Sequence, residues 1–200
     1  MSRTNSQMEQ RTANSGFLAG PVQPDSDKLL LTGNPIVYDQ RTLLWEFEGR
    51  KYYEVIQGGA LTGADMSDVV FNCEHTGRVY ARTKNGSLQL RETGQGAESS
   101  IELDANDQGH REVFNDVKSG RYDRMSFAFQ IAEEEFDEAS STFTIKRIKK
   151  VFDVSAVAFP AYDAAVISAR CAALTGENRK RQTGENRSRE REAIIALTYL

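Results

Sequence analysis

Met125-Ser126-Phe127-Ala128-Phe129 alternates large apolar residues with small ones. That is the period of a β-strand, so Met125, Phe127 and Phe129 share one face and Ser126 lies on the other. The hydroxyl of Ser126 is therefore expected to point away from the apolar layer. A serine becomes a nucleophile only beside a general base, and an imidazole suits that work near neutral pH. The chain has two histidines. His75 ends a second strand-like run, Val69-Val70-Phe71-Asn72-Cys73-Glu74-His75, just before the turn Thr76-Gly77. His110 lies in the polar run Gln108-Gly109-His110-Arg111, reads as an exposed residue, and is the second choice as base.

The neighbouring segments carry strand patterns as well. Downstream, the acidic stretch Glu133-Glu134-Glu135-Phe136-Asp137-Glu138 reads as a solvated hairpin tip. Beyond it, Thr142 to Ile148 leads into the largely apolar run Val151-Phe152-Asp153-Val154-Ser155-Ala156-Val157-Ala158-Phe159-Pro160, the composition of a buried strand. Upstream, Pro35 to Tyr38, Leu43 to Phe47 and Lys51 to Ile56 are short strands separated by turns, which predicts a β-meander in the first third. Ala60 to Ser67 could form a short helix after Gly58-Gly59, and Lys84-Asn85-Gly86 signals a hairpin before the strand Leu88 to Arg91. The strongest helix runs from about Asn106 to Lys118, with Val113, Phe114 and Val117 at helical spacing and Ser119-Gly120 as its stop.

Three segments follow from composition. Residues 1–28 are rich in Ser, Asn, Gln, Gly and Pro and read as a flexible lead; order is expected to begin near Leu29 and to extend to residue 170. Residues 171–200 form a charged tail in which Thr175-Gly176-Glu177-Asn178-Arg179 recurs as Thr183-Gly184-Glu185-Asn186-Arg187, with a short helix expected from Arg191 to Leu200. The 200 residues, 39% hydrophobic and 27% charged, suit one soluble domain, and a formal net charge of −4 argues against nucleic acid as the main partner. No apolar run reaches the roughly 18 residues of a membrane span. The two cysteines, Cys73 and Cys171, lie far apart and read as free thiols.

Asp153 adds a third polar group. A carboxylate inside an apolar strand incurs a desolvation cost unless it is paired, and an imidazole is one such partner. Alternation puts it on the face of Val151, Ser155 and Val157. In a catalytic triad the acid orients the histidine and the histidine takes the serine proton, giving the order His75, Ser126, Asp153.

The order and spacing of five pieces resemble the prohead serine proteases of tailed bacteriophages, the lambdoid capsid-maturation type related to herpesvirus assemblins. The pieces are Tyr53-Glu54-Val55-Ile56 with Gly59-Ala60-Leu61; Phe71-Asn72 leading to His75; Gly86-Ser87-Leu88-Gln89-Leu90; Met125 to Phe129; and Phe152 to Val157 with Phe159-Pro160-Ala161-Tyr162. The resemblance covers roughly residues 30–170. It implies Ser126 as nucleophile, His75 as general base and Asp153 as the acid, where assemblins use a second histidine. The family tends to write Asn-His-Asp where this chain has Asn72-Cys73-Glu74-His75-Thr76. The implied fold is mainly β (α+β), a closed or partly closed β-barrel with a few packed helices. The implied activity is a serine endopeptidase inside the assembling prohead in the host cytoplasm. Its substrates would be the scaffold, the scaffolding portion of the major capsid protein and the protease itself, with a homo-oligomer compatible and no cofactor or metal required.

Competing assignments are weaker. Cys73 shares a strand face with His75, but residues two apart in a strand are about 6.5 Å apart along the axis, too far for a thiolate–imidazole hydrogen bond. Cys73, His75, His110 and Cys171 lack the spacing of a zinc knuckle. The alternative function is a non-catalytic internal scaffold, with the tail and the acidic hairpin binding capsid subunits.

Overall fold

A computed structural model of the chain describes residues 8–13, 17–21 and 27–158. Phe159 to Tyr162, Cys171, the repeated tail motif and the segment Arg191 to Leu200, expected to be helical, lie outside the described residues. In chain order the strands begin with β1 (Met8–Ala13), β2 (Phe17–Pro21), β3 (Lys28–Val37), β4 (Thr42–Phe47), β5 (Arg50–Ile56) and β6 (Val70–Cys73). They continue with β7 (Thr76–Arg82), β8 (Leu88–Thr93) and β9 (Gly96–Asp104), then helix α1 (Gln108–Lys118), β10 (Arg124–Asp137) and β11 (Thr142–Val157).

The described residues are thus mostly strand with one α-helix. A seven-stranded sheet runs β1-β10-β11-β5-β4, with β6 also on β11 and β7 on β6; a four-stranded sheet runs β2-β3-β9-β8. Among the described residues neither sheet closes into a barrel.

β11 is the organising strand. Its first part, Thr142 to Ile145, pairs in parallel with Tyr53 to Ile56 of β5; its last part, Asp153 to Ala156, pairs in parallel with Val70 to Cys73 of β6. Its other edge pairs antiparallel with β10. The segment between β5 and β6 fills the gap with backbone hydrogen bonds from Ile148 N to Ala60 O and from Val151 N to Asp65 O. Ala60 to Ser67 forms turns rather than the expected helix: Ala60 O and both backbone groups of Asp65 are committed to β11, and Thr62 N and Ala64 N close local turns on Gly59 O and Leu61 O.

The predicted meander is replaced by a split. β4 and β5 form a hairpin through Glu48 and Gly49, both at positive φ, but β3 leaves for the other sheet, where it pairs with β2 and β9. Order also starts earlier than Leu29, since β1 and β2 precede it. Glu9 is 2% exposed and Met8 51%. β1 therefore turns a charged residue inward and an apolar one outward, the reverse of the pattern that marks a strand in sequence.

Helix α1 matches its expectation closely. Asp107 caps it by accepting from His110 N at 3.0 Å, Gly120 takes φ 76 beyond its end, and Val113, Phe114 and Val117 are buried. Burying each of these side chains contributes about 1.5 to 3 kcal/mol. The cap carboxylate also accepts from Arg78 Nη2 at 2.7 Å; that bond, with the His110 N–H, holds the Asp107 pKa down at about 2.

Candidate active site

Ser126 lies near the start of β10, opposite Ser155 of β11 on one side and Thr12 of β1 on the other. The strand is walled in on both edges, and Ser126 and Ser155 are both 0% exposed. The hydroxyl expected to point away from the apolar layer is enclosed between the neighbouring strands. Phe127 and Phe129 stack at 4.7 Å between ring centroids and anchor the apolar face of β10 in the core.

His75 reaches the serine from a tight turn. Cys73 pairs with Thr76, so the connection between β6 and β7 is the two-residue turn Glu74-His75. Both residues take positive φ, 51° and 55°. Two successive positive φ values describe a type I′ turn, which fits the twist of a hairpin but ordinarily calls for Asn or Gly. Left-handed backbone at a residue with a Cβ costs roughly 1 to 2 kcal/mol. Two bonds fasten the turn to β11: Glu74 N donates to Ala156 O at 3.0 Å, and Glu74 Oε1 accepts from Ala158 N at 2.8 Å. The turn thus sits two positions earlier than the Thr76-Gly77 turn read from sequence, and His75 lies within it rather than ending a strand.

From that turn the imidazole bridges two strands. Its Nε2 lies 2.7 Å from Ser126 Oγ and its Nδ1 lies 2.7 Å from Asp153 Oδ1. The three residues singled out from sequence are therefore brought together, in hydrogen-bonded order. His75 and Asp153 are shielded as well, with side chains 6% and 10% exposed. With Asp153 ionised, Nδ1 carries the proton and Nε2 is left as the acceptor facing the serine.

Two polar residues missed in the sequence reading stand behind this row. Ser155 Oγ is 3.0 Å from Asp153 Oδ1 and 3.2 Å from His75 Nδ1, and it is also hydrogen-bonded to Asn72. A hydroxyl has one proton to give, and a carboxylate can only accept. Ser155 Oγ thus faces two oxygen acceptors, Asp153 Oδ1 and Asn72 Oδ1, and gives its one proton to one of them at a time. The only sequence signal was the alternation that put Ser155 on the face of Asp153.

The other candidates fall away from the site. Cys73 is partly buried, and burial, reinforced by Glu74 and Asp116, pushes its thiol up to about 12, the protonated and unreactive state. His110 Nδ1 accepts from Asp104 N at 2.9 Å at the start of α1. The backbone donors of Gly120 and Arg121, which lie just ahead of β10, are spent on Val117 O and Asp116 O. The acidic stretch is part of β10 rather than a loose tip, with Glu135 paired to Lys146 and Asp137 capping the turn that follows.

Comparison with curated proteins and with solved structures returned no match. The family model described as caudovirus prohead serine protease matches residues 21–180, a span that holds His75, Ser126 and Asp153. With that match over most of its length, the chain belongs to the caudovirus prohead serine proteases, the enzymes of capsid maturation in tailed phages.

Proposed function

We propose that the chain is a serine endopeptidase that works through an acyl-enzyme at Ser126, with His75 as general base and Asp153 as the group that orients it. The observation that carries this is the hydrogen-bonded row Asp153 Oδ1, His75 Nδ1, His75 Nε2, Ser126 Oγ, each contact 2.7 Å. In the forward step Nε2 takes the hydroxyl proton as Oγ attacks the scissile carbonyl, and the new imidazolium is held by the Asp153 carboxylate. The imidazolium then returns the proton to the leaving amine. Water, deprotonated by the same nitrogen, hydrolyses the ester and regenerates Ser126.

The substrates proposed are the scaffold or the scaffolding portion of the major capsid protein, and the protease itself, cleaved within the assembling prohead. Family membership supports this reading. A partly closed barrel is proposed for the complete fold, because β10 and β11 depart from regular pairing at four places between Ala128 and Glu134, where bulges bend the strands. The test is incubation of the wild type and of Ser126→Ala with the phage's major capsid protein, followed by intact mass. Discrete fragments from the wild type alone support the assignment; equal fragments from both sink it.

A further inference from the structure

The edge of β10 beside Ser126 is not free. β1 lies along it antiparallel, with Arg11 opposite Phe127 and Thr12 opposite Ser126. Ser126 Oγ donates to the backbone carbonyl of Arg11 at 2.7 Å, the same distance that separates it from His75 Nε2. One hydroxyl proton cannot serve both acceptors, so this carbonyl competes for the proton that His75 must take. An extended strand on the edge of the nucleophile's own strand, with a carbonyl against the nucleophile, is how a peptide substrate docks by strand addition.

The side chain of the same residue is held with equal care. The Arg11 guanidinium donates from Nε and Nη2 to the two carboxylate oxygens of Glu54, the second at 2.8 Å, and from Nη2 to Glu9 Oε2 at 3.2 Å. It lies 5.7 Å from the ring centroid of Phe129. Glu54 is 3% exposed, and a carboxylate so buried demands a cation. Glu54 and Phe129 fall within residues 21–180, the span the family model matches, whereas Arg11 and all of β1 lie upstream of it. The acidic site thus belongs to the shared part of the chain, and its occupant comes from outside that part.

We infer that Glu54 and Phe129 form a specificity subsite for an arginine or lysine immediately before the cleaved bond, and that β1 fills the peptide-binding edge as a substrate-like strand until a substrate displaces it. This rests on Ser126 being the nucleophile, because the position of the basic residue is counted from the carbonyl that Ser126 contacts.

The test separates the two readings. Full-length Ser126→Ala and Ser126→Ala/Arg11→Glu are titrated against a fluorescein-labelled peptide with the sequence of residues 5–16, and against the same peptide with its arginine replaced by alanine. In the double variant a glutamate faces Glu54 and Glu9, so β1 should leave the edge. The expected result is a cooperatively folded protein, with β1 newly open to the non-specific protease proteinase K and with the arginine peptide bound about tenfold or more tighter than the alanine peptide. Equal binding of the two peptides, no binding of either, or loss of the cooperative fold overturns the inference. Binding does not need the nucleophile, so these outcomes leave the catalytic reading standing. That reading falls on its own test, if Ser126→Ala still cleaves capsid protein.

Discussion

Replacing Asp153 with Asn keeps the shape of the side chain and removes its charge. In the enclosed site the carboxylate lies 2.7 Å from His75 Nδ1, which puts the centres of the two charged groups about 4 Å apart once the imidazole has taken the serine proton. At an effective dielectric constant of about 20, that pair is worth about 4 kcal/mol, or roughly a thousandfold in rate. Loss of the preferred tautomer adds to this and takes the total toward about ten-thousandfold. The assay is the initial rate of capsid-protein cleavage followed by intact mass, with near-UV circular dichroism and thermal melting confirming that the variant is folded. A folded Asp153→Asn protein that cleaves within tenfold of the wild type would refute the reasoning: the Asp153 contact would then be structural, and the imidazolium would need no anionic partner.

Other predictions address the surroundings. Ser155→Ala leaves the charge of Asp153 but removes a hydrogen bond to it, which is worth about 1.5 to 3 kcal/mol, so cleavage should slow by about ten- to a hundredfold, far less than in Asp153→Asn; equal losses in the two variants would contradict this ranking. Gly96→Ala should destabilise the fold by about 3 kcal/mol or more in urea melts, because a Cβ there would sit 1.9 Å from Ile36 O at a φ of 141°; an unchanged midpoint would contradict the close approach of β3 and β9. Cys73, with its thiol raised to about 12, should resist iodoacetamide at pH 8 in the native protein and react after unfolding, as read by peptide mapping. Asp107 is depressed to about 2, so its capping of α1 should be complete above about pH 4 and fade as the pH falls toward 2, seen as faster amide exchange in α1 before the sheets open.

Much of this arrangement was legible in the chain because its cues are local. The alternation of Met125 to Phe129 marks β10 and separates Ser126 from the aromatic residues; the helical spacing of Val113, Phe114 and Val117 with a Gly stop marks α1. The isolated carboxylate in an apolar strand marks Asp153 as a group in need of a partner. What was hidden depends on long-range pairing. β9 begins Gly96-Ala97-Glu98-Ser99-Ser100, without β-branched or aromatic residues, and is a strand because β3 and β8 flank it. The Glu74-His75 turn uses positive φ at two residues that do not advertise it, held by β11 rather than by their own preference. β1 escaped because its inward residues are charged: Glu9 and Arg11 satisfy each other and Glu54, so the apolar signal that identifies a buried strand is missing. That strand also explains why Ser126 is enclosed.

The account stands most directly on intact mass over time for the concentrated wild type and its Ser126→Ala variant, each incubated with the major capsid protein of the same phage. Discrete fragments that accumulate with the wild type and are absent with Ser126→Ala are the predicted result. Fragments that form at the same rate in both, with Ser126→Ala shown to be folded, would contradict the assignment of Ser126 as the nucleophile.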